Sequence, residues 1–187
     1  MKSEQVATLA IVGVLGAGVL GSYVPIINDQ LSKANNYDHW LQIPKGTRQM
    51  FYMLQILAAV GFVTWLISYC TKKNGYRSGL FSYGAAVVPL IVTVLLASSI
   101  GWSIGTYLHV RQPSVGTAAL TSGSLILTAV CSILLLAGEL EAQKPTWFGV
   151  LGLMFFCLVT VLGDGVGWNA RFLSNLQIDA ALPAGKS

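Results

Sequence analysis

The segment "LGDGVGWNARF" (162–172) places one carboxylate, Asp164, directly behind the apolar run "FFCLVTVLG". A carboxylate at membrane depth is costly, and such groups pair with a partner or face a wet interior. Two readings of Asp164 follow. In one, it marks the interface where a span ends, as the flanking Gly163, Gly165 and Gly167 suggest. In the other, it forms a polar site inside a bundle, with Trp168 one turn on and Arg171 seven residues on, on roughly the same face. A second chemical cluster is "YDHW" (37–40), where His39 stands beside an acid and ahead of Trp40. A His next to a carboxylate can bind a metal or move a proton. The chain has only two histidines, His39 and His109, and no His/Cys cluster with ligand spacing, so no metal site is expected. The default for His39 is a solvated loop residue. Trp40, Ile43 and Pro44 read as a short amphipathic piece on the membrane surface before Arg48 opens a helix. Trp102, in "SSIGWSIGTYL" (98–108), follows Ser98 and Ser99 by one turn. Those hydroxyls are expected to bond back to their own helix.

These residues need a frame, and composition supplies it. Of 187 residues, 54% are hydrophobic and only 10% charged, where a soluble domain carries about a quarter charged residues. Most of the chain is therefore solvated by lipid. About 20 consecutive apolar residues cross the hydrocarbon core as a helix, and five segments meet or approach that length: 6–24, 50–70, 85–108, 120–138 and 147–167. Continuous rather than alternating apolar runs exclude a spanning sheet. The expectation is one all-α, polytopic transmembrane domain, a bundle of about five helices over residues 1–187, with a polar loop at 25–49 and a polar tail at 176–187. The first run is longer than a signal-peptide core and is read as a retained span. Tyr52 and Trp65 are expected near the two ends of the second span, as an aromatic belt requires.

Small residues recur every four positions at Gly13, Ala17 and Gly21, and again at Ala97, Gly101 and Gly105. Such strips let backbones approach closely, so both faces are expected to meet other helices, in this chain or a neighbouring one. Cys70, Cys131 and Cys157 read as buried free thiols. Basic residues divide five against six between the two sides of a five-span topology, so they do not set orientation. They are also scattered, which argues against a nucleic-acid partner. No nucleophile elbow, P-loop, HExxH or TVGYG filter is present, and no cofactor is expected.

"HWLQIPKGTRQMFYMLQILAAVGF", "SSIGWSIGTYL" and "LGDGVGWNARF" together resemble a family of small five-span proteins of algae and large DNA viruses. That resemblance spans most of the chain and implies no particular activity. It singles out Trp40, Pro44, Arg48, Trp102, Asp164, Trp168 and Asn169. The chain also resembles, more faintly, the TspO/translocator-protein family, whose five-span members bind tetrapyrroles, sterols and other apolar ligands beneath the first loop. Trp40 and Pro44 fall in that loop here, Trp102 in the third span, and Trp168–Asn169 in the fifth. The loop is longer than that family's, no second Pro follows Pro44, and Asp164 has no counterpart there. A binding reading of the chain sets a ligand site between the third and fifth spans, at His39, Trp40, Trp102, Asp164, Trp168 and Asn169, with Asp164 and His39 as its polar handles. The leading expectation is a non-enzymatic structural or accessory component of a membrane assembly, its partners the bilayer and a second membrane protein or copy. The alternatives are a binding or transport module for an apolar small molecule and, last, a proton or ion conductor using Asp164.

Overall fold

The computed structural model describes residues 2–31, 45–72, 86–142, 145–170 and 172–173. They form α1 (Ser3–Ser22), α2 (Val24–Leu31), α3 (Lys45–Thr71), α4 (Val87–Arg111), α5 (Val115–Leu140) and α6 (Trp147–Cys157), and α6 runs on without a break as a π-helix, Leu158–Trp168. Among the described residues, five helical stretches are long and apolar enough to cross a membrane: Ser3–Asp29, Gln49–Thr71, Val87–Arg111, Val115–Leu140 and Trp147–Trp168. The chain is an all-helical, multi-pass bundle.

Local chemistry explains the breaks. Pro25 has no N–H, and its ring would meet the carbonyl of Gly21, so α1 stops at Ser22 and α2 restarts at Val24. Ser114 caps α5 by accepting from the N–H of Thr117 (3.1 Å), and Thr146 caps α6 by accepting from the N–H of Gly149 (3.2 Å). Part of the expected first loop is helical: α2 covers its start and Lys45–Gln49 already belong to α3.

The bundle pairs α4 with α5, α3 with α6, α1 with α4, and α5 with α6 and its π-helical continuation. α4 and α5 are antiparallel, joined at Ser98–Thr128 (2.7 Å between hydroxyls) and at His109 Nδ1–Thr117 Oγ1 (2.8 Å). Between these points a Cβ on Gly101 would lie 2.7 Å from Ser124 Oγ, and one on Gly105 would lie 2.7 Å from Thr121 Oγ1. The α3–α6 pair is antiparallel too, and tighter: Cβ atoms built on Gly61 and on Gly152 would each lie 2.5 Å from the other's carbonyl oxygen. α1 runs parallel to α4, with Gly18 against Ile100, the Ser103 hydroxyl donating to the Ser22 carbonyl (2.9 Å) and Asp29 paired with Arg111 (2.8 Å).

The apolar core lies where α3, α4, α5 and α6 converge. Trp65, Val92, Leu95, Leu135 and Leu153 are its centre, none more than 1% exposed. Trp65 is thus not an interfacial belt residue: it stacks on Tyr69 (centroids 5.6 Å) and tilts against Phe62 inside the core. The face of α1 that meets the core carries Ile11, Val12, Leu15 and Val19. On the opposite face Gly13, Ala17 and Gly21 are exposed, and a Cβ on Gly13 or Gly21 would meet nothing within 4 Å. Gly13→Ala and Gly21→Ala are therefore expected to leave thermal melting in detergent unchanged or to raise it slightly, since alanine favours a helix by about 0.5–1 kcal/mol.

Candidate functional site

Asp164 does not end its helix. It lies midway along the π-helix and is 8% exposed. A π-helix is rare and tends to occur at functional sites, and the glycines that looked like a terminator fit this one. A Cβ on Gly165 would lie 3.1 Å from the Thr160 carbonyl, and one on Gly167 would lie 3.2 Å from the Leu162 carbonyl. Each of these is a carbonyl five residues back, so small residues relieve crowding within the wide turns. The backbone N–H of Asn169 closes the segment by donating to the Asp164 carbonyl.

The Asp164 carboxylate accepts from the side-chain amide of Gln55 on α3, at 2.9 Å and 3.0 Å to its two oxygens. Tyr23, at the junction of α1 and α2, lies within electrostatic reach of it. Beside it runs a line of aromatic rings. Tyr23 and Trp102 meet edge to face with centroids 5.8 Å apart, and Trp102 meets Trp168 the same way at 5.8 Å. Trp168 stacks on Phe172 at 5.1 Å, and Phe172 meets the His109 ring at 4.9 Å. Leu125, Phe51 and Ala118 pack around this line.

Several polar atoms here are buried without a hydrogen-bond partner: Trp102 Nε1, Asn169 Oδ1 and, one helical turn beyond Trp102, Thr106 Oγ1. Ser122 Oγ on α5 is another. Leaving a buried polar group unmatched costs about 1–3 kcal/mol. Such atoms on α4 and at the end of the helix that carries Asp164 are ones that a polar ligand group or ordered water would complete.

Of the expected ligand set, Trp102, Asp164, Trp168 and Asn169 are assembled in this one region, while His39 and Trp40 lie outside the described residues. Pro44 also lies outside them, as do the side chains of Arg48 and Arg171. Gln55 and Tyr23 were not singled out in the sequence. An amide within "MLQILAAV" is the available signal for Gln55, whereas the position of Tyr23 depends on the break at Pro25.

The second polar cluster lies at the opposite end of the bundle and was missed altogether. Glu139 falls just past the expected fourth span (120–138), but it occupies the last turn of α5 and is fully buried. It binds Lys72 Nζ at 2.5 Å and accepts from the backbone N–H of Thr146 at 3.2 Å. Thr146 in turn bonds Ser68 through their hydroxyls. Gln5 donates to the carbonyls of Tyr69 (2.8 Å) and Lys72 (2.9 Å), tying α1 to the same place. Four helix ends thus close on one buried ion pair. Hydroxyl pairs such as Ser132–Thr160 (2.8 Å) lie between the clusters, but Trp65, Leu135 and Leu153 fill the layer next to Glu139.

On the side of the bundle, Ala97, Gly101, Ala119 and Gly123 line a groove of about 490 Å³ between α4 and α5, with Ser98 and Ser124 also among its lining residues. Among the described residues no group of three or more His, Cys, Asp or Glu could hold a metal ion. Comparison with protein-family models, curated proteins and solved structures finds no match to this chain.

Proposed function

We propose that this protein is a non-enzymatic, membrane-embedded binding module for a small, largely apolar molecule with one polar head. The polar head sits against Asp164, and the apolar body lies along Tyr23, Trp102 and Trp168. One observation carries this reading: Trp102 Nε1 and Thr106 Oγ1 on α4 and Asn169 Oδ1 at the end of the π-helix are buried without partners, and among the described residues the Asp164 carboxylate of that same π-helix is hydrogen-bonded by one amide. A bundle serving only as scaffold has no use for such a group, because apolar side chains would pack there at lower cost. Apolar walls with a few converging polar atoms are the usual construction of a ligand site.

The test is purification in mild detergent followed by native mass spectrometry. A small molecule retained by the wild type and lost from Asp164→Asn supports the reading, because asparagine keeps the shape and can still accept from Gln55. Retention by both proteins would place the ligand elsewhere.

A second reading, as an accessory subunit, is favoured by the outward strip of α1. A stoichiometric partner or second copy in the same spectrum, lost from Ala17→Leu without a fall in melting temperature, would support it.

A further inference from the structure

We infer that the polar head recognised at Asp164 is cationic, a protonated or quaternary amine on an aromatic or aliphatic body. This rests on the binding reading above and narrows its ligand class. A carboxylate inside a membrane is held by an opposite charge or by water. Among the described residues the Asp164 carboxylate has one hydrogen-bonding partner, the neutral amide of Gln55. The other two buried ion-forming carboxylates are treated differently: Glu139 has Lys72, and Asp29 has Arg111 at 2.8 Å and 3.0 Å. Among the described residues, Glu139 and Asp29 are each given a cation and Asp164 is given none.

The surroundings suit a cation in a second way. Asn169 Oδ1 is a partnerless acceptor, and the Thr106 hydroxyl can also accept. Tyr23, Trp102 and Trp168 form one contiguous line of rings. Aromatic faces attract ammonium groups, more strongly when the pair is shielded from water. Trp102 Nε1–H is the exception, a donor, and it suits an ether or hydroxyl oxygen on the ligand body rather than the ammonium itself.

The experiment compares 2-phenylethylammonium with 2-phenylethanol, which match in size and differ in charge. Binding is measured by equilibrium dialysis against purified protein in mild detergent, with protein-free micelles subtracted. Wild type is expected to bind the cation about tenfold or more tightly than the alcohol. Asp164→Asn should erase that difference while its melting temperature holds, and Trp102→Phe should weaken the cation modestly. Equal binding of the two probes would overturn the cationic inference and leave the binding reading standing. Binding of neither at millimolar concentration would overturn both. Displacement of the amine by NaCl but not by KCl at equal ionic strength would make the site an alkali-ion site and also overturn the inference.

Discussion

Lys72→Ala destabilises the folded bundle by about 3–5 kcal/mol, the usual cost of stripping one partner from a buried ion pair. The reason is the position of Glu139, fully buried on α5 with Lys72 Nζ 2.5 Å away. Without that cation the carboxylate keeps Thr146 but faces the core of the bundle, and it must either stay charged in a poor solvent or take up a proton. Glu139→Ala is expected to cost less. Lys72 stands at the C-terminal end of α3, where its methylene stem can carry the ammonium outward to the membrane surface. Replacing both together, with Lys72→Met and Glu139→Leu, should recover most of the loss, since a well-packed apolar pair often matches a buried ionic one. Reversible unfolding in mixed micelles, read by circular dichroism, gives all four stabilities. Equal and small losses in both single variants would show that the pair is solvated and does not clamp the helix ends.

Gly152→Ala is the second large effect, on the order of 3 kcal/mol. The added methyl would sit 2.5 Å from the Gly61 carbonyl and 3.1 Å from the Trp65 nitrogen. Both are backbone atoms, so no side-chain rotation relieves the overlap and α3 must move away from α6. That movement loosens Trp65 and Leu153 at the centre of the core and lengthens the Gln55–Asp164 contact two to three turns further along. Gly61→Ala should behave in the same way, against the near-neutral Gly13→Ala. The same unfolding measurement decides the matter, and indifference to Gly152→Ala would mean that the two helices are not in contact at this crossing.

These two effects also show what could be read from the sequence. Continuous apolar runs identify the membrane helices, because lipid tolerates little else over that length. Asp164, Trp102, Trp168 and Asn169 attract notice as polar or aromatic residues within apolar surroundings. Their convergence depends on the register of a π-helix, which glycines at 163, 165 and 167 permit but do not announce. The strips spaced by four were the visible packing signal. Gly101 and Gly105 do lie against α5, yet the backbone-to-backbone approach of α3 and α6 uses Gly61 and Gly152, which belong to no repeat spaced by four. A lone glycine in a span reads as noise until its partner helix is known. The charge of Glu139 reads as the end of the expected span at 120–138, when a cation from another helix allows α5 to continue past it.

The buried apolar layer of Trp65, Leu135 and Leu153 has an electrical consequence. It separates Asp164 from the end of the bundle that holds Glu139, while Asp29 and Arg111 lie at the other end. A membrane potential falls mainly across such low-dielectric material. A cation arriving at Asp164 from the Asp29 end would cross only part of the voltage, and its affinity would shift by less than the ~2.3 kcal/mol per 100 mV of a full crossing. Polarising the membrane in one sense would hold the cation in place, and reversing the polarity would expel it by the way it came.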